Sequence, residues 1–183
     1  MATTLVSYGT TEGQTARIAE VIAEVLRDLG HEADTVDIKG LAGVVPDDCD
    51  AVVIGASIHM GRHDKHVVEF ARNNRDTLQR LPSAFYSVSL AAHGDIEEAE
   101  GYVSQFQDET GWHPDQVALF GGALLYTHYG FLKRRMMKKI VTDKPGHLGV
   151  DTSRDYIYTE WDAVKTFAEH FAKKIEHSRR DES

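Results

Sequence analysis

Along this chain the spacing of apolar residues alternates between the period of a strand and that of a helix. Residues 3–8 are rich in Thr, Leu, Val and Tyr and stop at Gly9, which predicts a short buried strand. Beyond Gly13, the residues Ile18, Val21, Ile22, Val25, Leu26 and Leu29 recur at steps of three and four, the stripe of an amphipathic helix, and Gly30 supplies a C-cap. Residues 33–38 alternate and read as a second strand, and 39–50 as a loop of Gly, Pro and Asp. Residues 51–55 are an apolar run too short for a helix and suited to a central parallel strand. A helix is predicted over 64–81 through Val67, Val68, Phe70, Ala71 and Leu78, ended by Pro82. Residues 83–90 read as the fourth strand, 95–110 as a charged helix and 116–121 as the fifth strand. A last helix over 160–175 carries Trp161, Val164, Phe167, Phe171 and Ile175 on one face.

Strand and helix alternating in this way imply βαβ units, which close right-handed into a parallel sheet covered on both faces. The expectation is one α/β domain, doubly wound around a five-stranded parallel sheet. One region departs from it. Residues 122–159 separate the fifth strand from the last helix, where a βα connection usually takes about 2–6 residues. They contain Tyr126, Tyr129, Phe131 and a cluster of cations, so they read as a functional insertion.

Composition narrows the class. A chain of 183 residues with 42% hydrophobic and 27% charged residues has the balance of a globular protein with one sizeable core. Cys49 is the single cysteine, so an internal disulfide framework is excluded. The first apolar run, Leu5 and Val6, is followed by turn residues and lacks the length of a signal peptide or membrane span, which leads to the expectation of a cytoplasmic protein without a transmembrane helix. With 20 basic against 29 acidic side chains the formal charge is −9, which argues against nucleic acid as a general partner. The basic residues are unevenly placed: Lys133, Arg134, Arg135, Lys138, Lys139 and Lys144 lie close together with one acid, Asp143.

The turn after the first strand runs Tyr8-Gly9-Thr10-Thr11-Glu12-Gly13-Gln14-Thr15 directly into a helix. Hydroxyl side chains at a helix N-terminus make an anion site, because unpaired backbone N–H groups and the helix dipole both favour a phosphate. Thr11 and Gln14 also have the spacing of a capping box, and a merely well-capped helix start is the competing reading. No Lys follows Gly13, so the loop is not a Walker A motif, and the GxGxxG spacing of a dinucleotide fingerprint is missing. Ligands of doubly wound sheets sit beyond the carboxyl ends of the strands at the switch point, so two further loops belong to the same candidate site. They are Gly55-Ala56-Ser57-Ile58-His59-Met60-Gly61-Arg62 and Ser87-Val88-Ser89-Leu90-Ala91-Ala92-His93.

These residues resemble the flavodoxin-like family, whose Tyr-x-Thr-x-x-Gly-x-Thr loop cradles the FMN phosphate. Further stretches are similar to the quinone-dependent protoporphyrinogen IX dehydrogenases, a menaquinone-linked group. They are Val52-Val53-Ile54-Gly55-Ala56-Ser57-Ile58, Leu81-Pro82-Ser83-Ala84-Phe85-Tyr86-Ser87-Val88, Gly122-Ala123-Leu124 with Tyr126, and Tyr158-Thr159 before Trp161. The resemblance runs from Tyr8 to Trp161 and implies a flavodoxin-like fold with strand order 2-1-3-4-5 and a long insertion after the fifth strand. It implies FMN as cofactor, its phosphate held by Thr10, Thr11, Glu12, Gly13, Gln14 and Thr15. The isoalloxazine would be lined by Ser57, Ile58, His59, Met60 and Gly61, and by Ser87, Val88, Ser89, Leu90, Ala91 and Ala92. The Trp and Tyr that sandwich the ring in small flavodoxins are missing, so the ring is expected to be less enclosed. The implied activity is oxidation of protoporphyrinogen IX to protoporphyrin IX in heme biosynthesis, electrons passing to a quinone.

In the insertion, a helix over 131–141 places Leu132, Met136, Met137, Ile140 and Val141 on one half and Arg134, Arg135, Lys138 and Lys139 on the other, with Lys133 as an exception inside the apolar half. Such a helix suits an anionic membrane surface or the carboxylates of a tetrapyrrole, so Tyr126, Tyr129, Lys133, Arg134, Arg135, Lys138 and Lys139 are candidates for substrate or membrane contact. A solvated surface helix packed by its apolar half is the competing reading. His59, His63, His93 and His128 lie in or beside the loops, but no catalytic base is singled out. No Ser/His/Asp set or metal signature is present; His59 and His63 would share a helical face without a carboxylate or Cys cluster to complete a site. Two other functions share the fold, a single-electron carrier between proteins and an NAD(P)H-dependent quinone reductase. Oligomeric state, a homo-oligomer included, stays open.

Overall fold

A computed structural model describes residues 1–181. In chain order it contains β1 (Thr3–Gly9), α1 (Gln14–Asp28), β2 (Glu32–Asp37), β3 (Ala51–His59), β4 (Arg62–His63), α2 (Lys65–Asn73), α3 (Arg75–Arg80), β5 (Ser83–Ser89), α4 (Ala91–Gly94) and α5 (Ile96–Thr110). There follow β6 (Gln116–Gly121), β7 (Ala123–Leu124), α6 (Phe131–Thr142), β8 (Tyr156–Ile157) and α7 (Trp161–Asp181). The main sheet has the order β2-β1-β3-β5-β6 with every neighbouring pair parallel. This is the expected 2-1-3-4-5 order, because β4 is only the short return arm of a hairpin on β3. Strand order reverses between β1 and β3, and the chain leaves both strands at the same edge of the sheet, so the loops after β1, β3 and β5 converge there.

Both faces of the sheet are buried, which is why its strands read as continuous apolar runs. On one face Val6, Val53, Tyr86 and Phe120 meet Ile18, Ile22 and Leu26 of α1 and Val164, Phe167 and Phe171 of α7. On the other, Val52, Ile54 and Phe85 meet Val67, Phe70, Leu78, Phe106 and Trp112. Tyr86 crosses from β5 to α1 and donates its hydroxyl to the Thr15 carbonyl at 2.9 Å, tying the start of α1 to the sheet. Gly55 makes room for that ring: a Cβ there would lie 1.9 Å from Tyr86 Cζ.

Two expectations change. The helix predicted over 64–81 is broken at Asn74, whose amide donates to the Phe70 and Gly43 carbonyls at 2.8 and 2.9 Å and whose Oδ1 accepts from Val45 N–H at 3.0 Å. A side chain that satisfies both its own helix and a distant loop competes with helix continuation. Strand three runs on to His59, because residues 58 and 59 pair with His63 and Arg62; His59 and His63 therefore lie on a hairpin and share no helix. The insertion is ordered around its own small core of Leu124, Tyr126, Tyr129, Val141 and Leu148, closed by the antiparallel pair β7–β8.

Candidate functional site

The loop between β1 and α1 is shaped by Gly13, the N-cap, at φ 89° and ψ −14°, a left-handed conformation that strains any L side chain. Its N–H donates to Thr10 Oγ1 at 2.8 Å. No side chain caps α1, so its first-turn N–H groups are left for another acceptor. The capping box expected from Thr11 and Gln14 does not form. Gln14 donates instead to Thr159 Oγ1 at 2.7 Å, and Thr159 donates to the Gly121 carbonyl at 2.6 Å. The last residue of the insertion thus claims the glutamine, a partner 145 positions away that spacing within the loop cannot reveal.

At the end of β3, Met60 and Gly61 form a two-residue hairpin turn with φ of 50° and 78°. Two positive φ values define a type I′ turn, for which Asn-Gly is the ordinary choice. Methionine there holds a strained backbone and carries its side chain 91% exposed at the mouth of a cleft. Ser57 lies deeper, with its Oγ buried and without a hydrogen-bond partner among the described residues.

The cleft, about 240 Å³, is bordered by Thr10, Thr11, Glu12, Gln14 and Thr15, by Ser57 to Gly61, and by Val88, Ser89, Leu90 and Ala91. Of the candidate cofactor residues, only Gly13, Ser87 and Ala92 do not border it. Gly13 shapes the loop, and the Ala92 N–H donates to Ser89 Oγ at 3.1 Å. Ser87, wholly buried, points to the other side of the sheet and bonds His63 Nε2 at 2.9 Å. His63 lies edge-on to Phe85 and Phe106, and burial pushes its imidazole down to about 4, so it is neutral at pH 7.

The insertion supplies the remaining wall. Lys133, Met136, Met137, Ile140 and Lys144 border the cleft with Gly122, Ala123, Tyr129 and Tyr102 of α5. Lys133, the exception on the helical wheel, donates to Glu12 Oε1 at 2.6 Å, and the Tyr129 hydroxyl donates to Glu12 Oε2 at 2.6 Å. Lys144 makes two bonds to the Glu98 carboxylate at 2.7 and 3.0 Å, and the Tyr102 hydroxyl adds a third at 2.6 Å. The bonds from Lys144 and Tyr102 hold the Glu98 carboxyl below its usual range.

Other insertion candidates have different work. Tyr126 is fully buried and donates to the Gly149 carbonyl at 3.0 Å. Arg134 donates to the carbonyls of Tyr126 and Tyr129 at 3.0 and 3.2 Å, which makes it a staple of the insertion and not a member of an exposed basic face. Arg135, Lys138 and Lys139 are exposed. The apolar half of the helix does not pack into the body, since within α6 only Val141 is buried. Met136, Met137, Ile140, Lys144 and Tyr102 were not singled out as site residues from sequence. The signal was the recurrence at 133, 136, 137 and 140, one helical face bearing a lysine and three apolar residues.

A flavodoxin-domain family model matches residues 5–148. The chain belongs to the flavodoxin-domain family. Membership in it implies a bound flavin. Among relatives with an assigned activity, the protoporphyrinogen IX dehydrogenase [quinone] of Escherichia coli K12 is 35% identical over 172 residues, covering 92% of this chain and 94% of that protein. One of Leishmania major with the same name is 34% identical over 172 residues, covering 92% of this chain and 74% of the other. Solved structures share the fold at low identity. A short-chain flavodoxin associated with a bacterial microcompartment superposes with TM-score 0.57 at 16% identity, covering 96% of this chain and 99% of that one. A flavodoxin from the domain Archaea does so with TM-score 0.56 at 15% identity, covering 96% and 99%. The flavodoxin cleft has features that fit a phosphorylated flavin: an uncapped helix N-terminus at one end and the unpartnered Ser57 hydroxyl farther in, the kind of buried group that is stabilised by a polar ligand atom.

Proposed function

We propose that this chain is an FMN-dependent dehydrogenase that oxidises protoporphyrinogen IX to protoporphyrin IX and passes the electrons to a quinone. The observation that carries the reading is the match to the Escherichia coli enzyme of that name. Its coverage of 92% of the chain leaves too little outside to omit the insertion, and the insertion walls the cleft. FMN is favoured among flavins because the loop ends in a single helix N-terminus suited to one phosphate group and lacks a dinucleotide fingerprint.

In this reading Thr10, Thr11 and the first-turn N–H groups of α1 hold the phosphate, with Gly13 shaping the loop and Thr15 tied to Tyr86 beneath it. Ser57, Ile58, His59, Met60 and Gly61 flank the ring on one side and Val88, Ser89, Leu90 and Ala91 on the other. Ser87 and Ala92 support these loops from behind. When bound, FMN supplies the two-electron acceptance that side chains lack. Met136, Met137 and Ile140 offer a flat apolar macrocycle or a quinone a surface against which to lie. The outer face of α6, with Phe131 and Leu132 exposed beside Arg135, Lys138 and Lys139, suits contact with an anionic membrane where quinones dissolve. Among the described residues no helix is long and apolar enough to cross a membrane.

The test is to mix the FMN-loaded protein anaerobically with protoporphyrinogen IX, add a menaquinone analogue and follow porphyrin fluorescence. Quinone-dependent fluorescence above a no-enzyme control is expected. A bound, reducible flavin with no porphyrin formed would reject the substrate.

A further inference from the structure

A carboxylate in a phosphate-binding loop is a contradiction unless something neutralises it. Glu12 sits in the loop between Thr11 and Gly13, borders the cleft, and is answered entirely from the insertion: Lys133 Nζ lies 2.6 Å from Oε1 and Tyr129 Oη 2.6 Å from Oε2. Lys133 also lies 4.4 Å from the centroid of the Tyr129 ring, so the three side chains form one compact cluster. Tyr129 is fixed by a second bond, accepting from the Leu125 N–H at 3.2 Å.

The helix that carries Lys133 is otherwise loosely seated. Only Val141, near its C-terminus, is buried, while Phe131 and Leu132 at its start are 76% and 80% exposed. Arg134 ties the start of α6 to carbonyls within the insertion, not to the sheet. Lys144, just beyond the helix, holds the other end to Glu98 of α5. At the N-terminal end, Glu12 is the bridge to the flavodoxin core.

We propose that Glu12 is a positioning residue that latches α6 against the phosphate loop, with Lys133 as the counter-charge that allows a carboxylate to stand beside a bound phosphate. Placement of the cleft wall and occupation of the phosphate site are thereby linked, and each favours the other. The inference rests on the FMN reading but not on the identity of the substrate.

Two measurements on the full chain test it. FMN affinity is read by quenching of flavin fluorescence in wild type, Lys133→Met, Lys133→Arg and the double variant Glu12→Gln/Lys133→Met. Lys133→Met exposes an uncompensated carboxylate and weakens FMN about tenfold, the scale of one incompletely screened charge interaction. Lys133→Arg keeps the affinity, and adding Glu12→Gln to Lys133→Met recovers part of it, the remaining shortfall from wild type being the contribution of the absent latch, a partial reversal that simple loss of structure would not produce. Amide hydrogen exchange of residues 131–142 is followed in parallel. Exchange is several-fold faster in the single Lys133→Met variant and in the double variant, and it slows in wild type when FMN is added. Equal FMN affinity in Lys133→Met and its double variant would overturn the compensation, and equal exchange in wild type and Lys133→Met would overturn the latch. A wild-type chain that binds no FMN while exchange still responds to Lys133→Met would instead reject the cofactor reading.

Discussion

Replacing Ser57 with Ala should stabilise the flavin-free chain and leave the flavin-loaded chain nearly unchanged, because the gain in the fold is offset by weaker binding. In the folded chain Ser57 Oγ is buried with no hydrogen-bond partner among the described residues. Leaving such a group unpaired costs about 1–3 kcal/mol, so removing it should stabilise the flavin-free protein by about 1 kcal/mol after allowing for Ala's lower strand preference. For a chain of this size that is about 2–4 °C in Tm. When FMN is bound, the hydroxyl gains a partner worth about 0.5–1.5 kcal/mol, and its loss should loosen FMN by about 2–13-fold. Since ligand stabilisation follows the logarithm of ligand concentration over Kd, the gap in Tm between loaded and unloaded protein narrows by the loss in binding alone, while the flavin-free Tm rises. Thermal unfolding of the two forms, together with an FMN titration, measures all three quantities. A flavin-free Ser57→Ala variant less stable than wild type would show that the hydroxyl is satisfied in the fold. Unchanged FMN affinity would remove Ser57 from the flavin site.

Two predictions concern the scaffold. Gly55→Ala places a methyl 1.9 Å from Tyr86 Cζ, and Tyr86 is fully enclosed with Phe120 and Phe167 at centroid distances of 5.9 and 6.4 Å. Overpacking and loss of the bond to the Thr15 carbonyl together should cost about 2–4 kcal/mol, read as a lower urea midpoint at unchanged m-value; a wild-type midpoint would refute the packing argument. His63 has an imidazole depressed by burial from 6.5 to about 4, so between those values the unfolded chain binds a proton that the folded chain does not. Stability from this group is therefore present above pH 6.5 and falls as pH drops toward 4, by about 3 kcal/mol in all, and His63→Gln should flatten that limb of the unfolding profile.

The comparison of sequence and structure turns on range. Elements whose signal is local were legible. The helical stripe from Ile18 to Leu26 packs as α1, although Leu29, predicted on the same stripe, lies past the end of the helix and is 48% exposed, and Val164, Phe167, Phe171 and Ile175 face the core from α7. The shape of the loop before α1 was legible for the same reason, since its glycine lies beside the start of the helix it caps. Periodicity could not find the break at Asn74, because the groups that the side chain holds across the chain, at Gly43 and Val45, lie in a loop about 30 positions earlier. The role of Gln14 escaped for the same reason, as did the division of labour among the basic residues. Lys133 broke the amphipathic pattern and Arg134 fitted it, yet Lys133 reaches Glu12 in the loop before α1 and Arg134 staples the insertion.

By itself, then, the sequence determined the α/β alternation, the doubly wound sheet, the position of the loops at its carboxyl edge and the presence of an unusual insertion. Those follow from side-chain period, turn chemistry and the handedness of βαβ connections, which neighbouring residues decide. Only the tertiary structure decided which face of α6 looks into the cleft, that Ser57 is left without a partner, and that Glu12 answers to Lys133 and Tyr129. Each of these depends on where two distant segments come to rest, and that is decided by the packing of the whole chain, not by any short stretch of it.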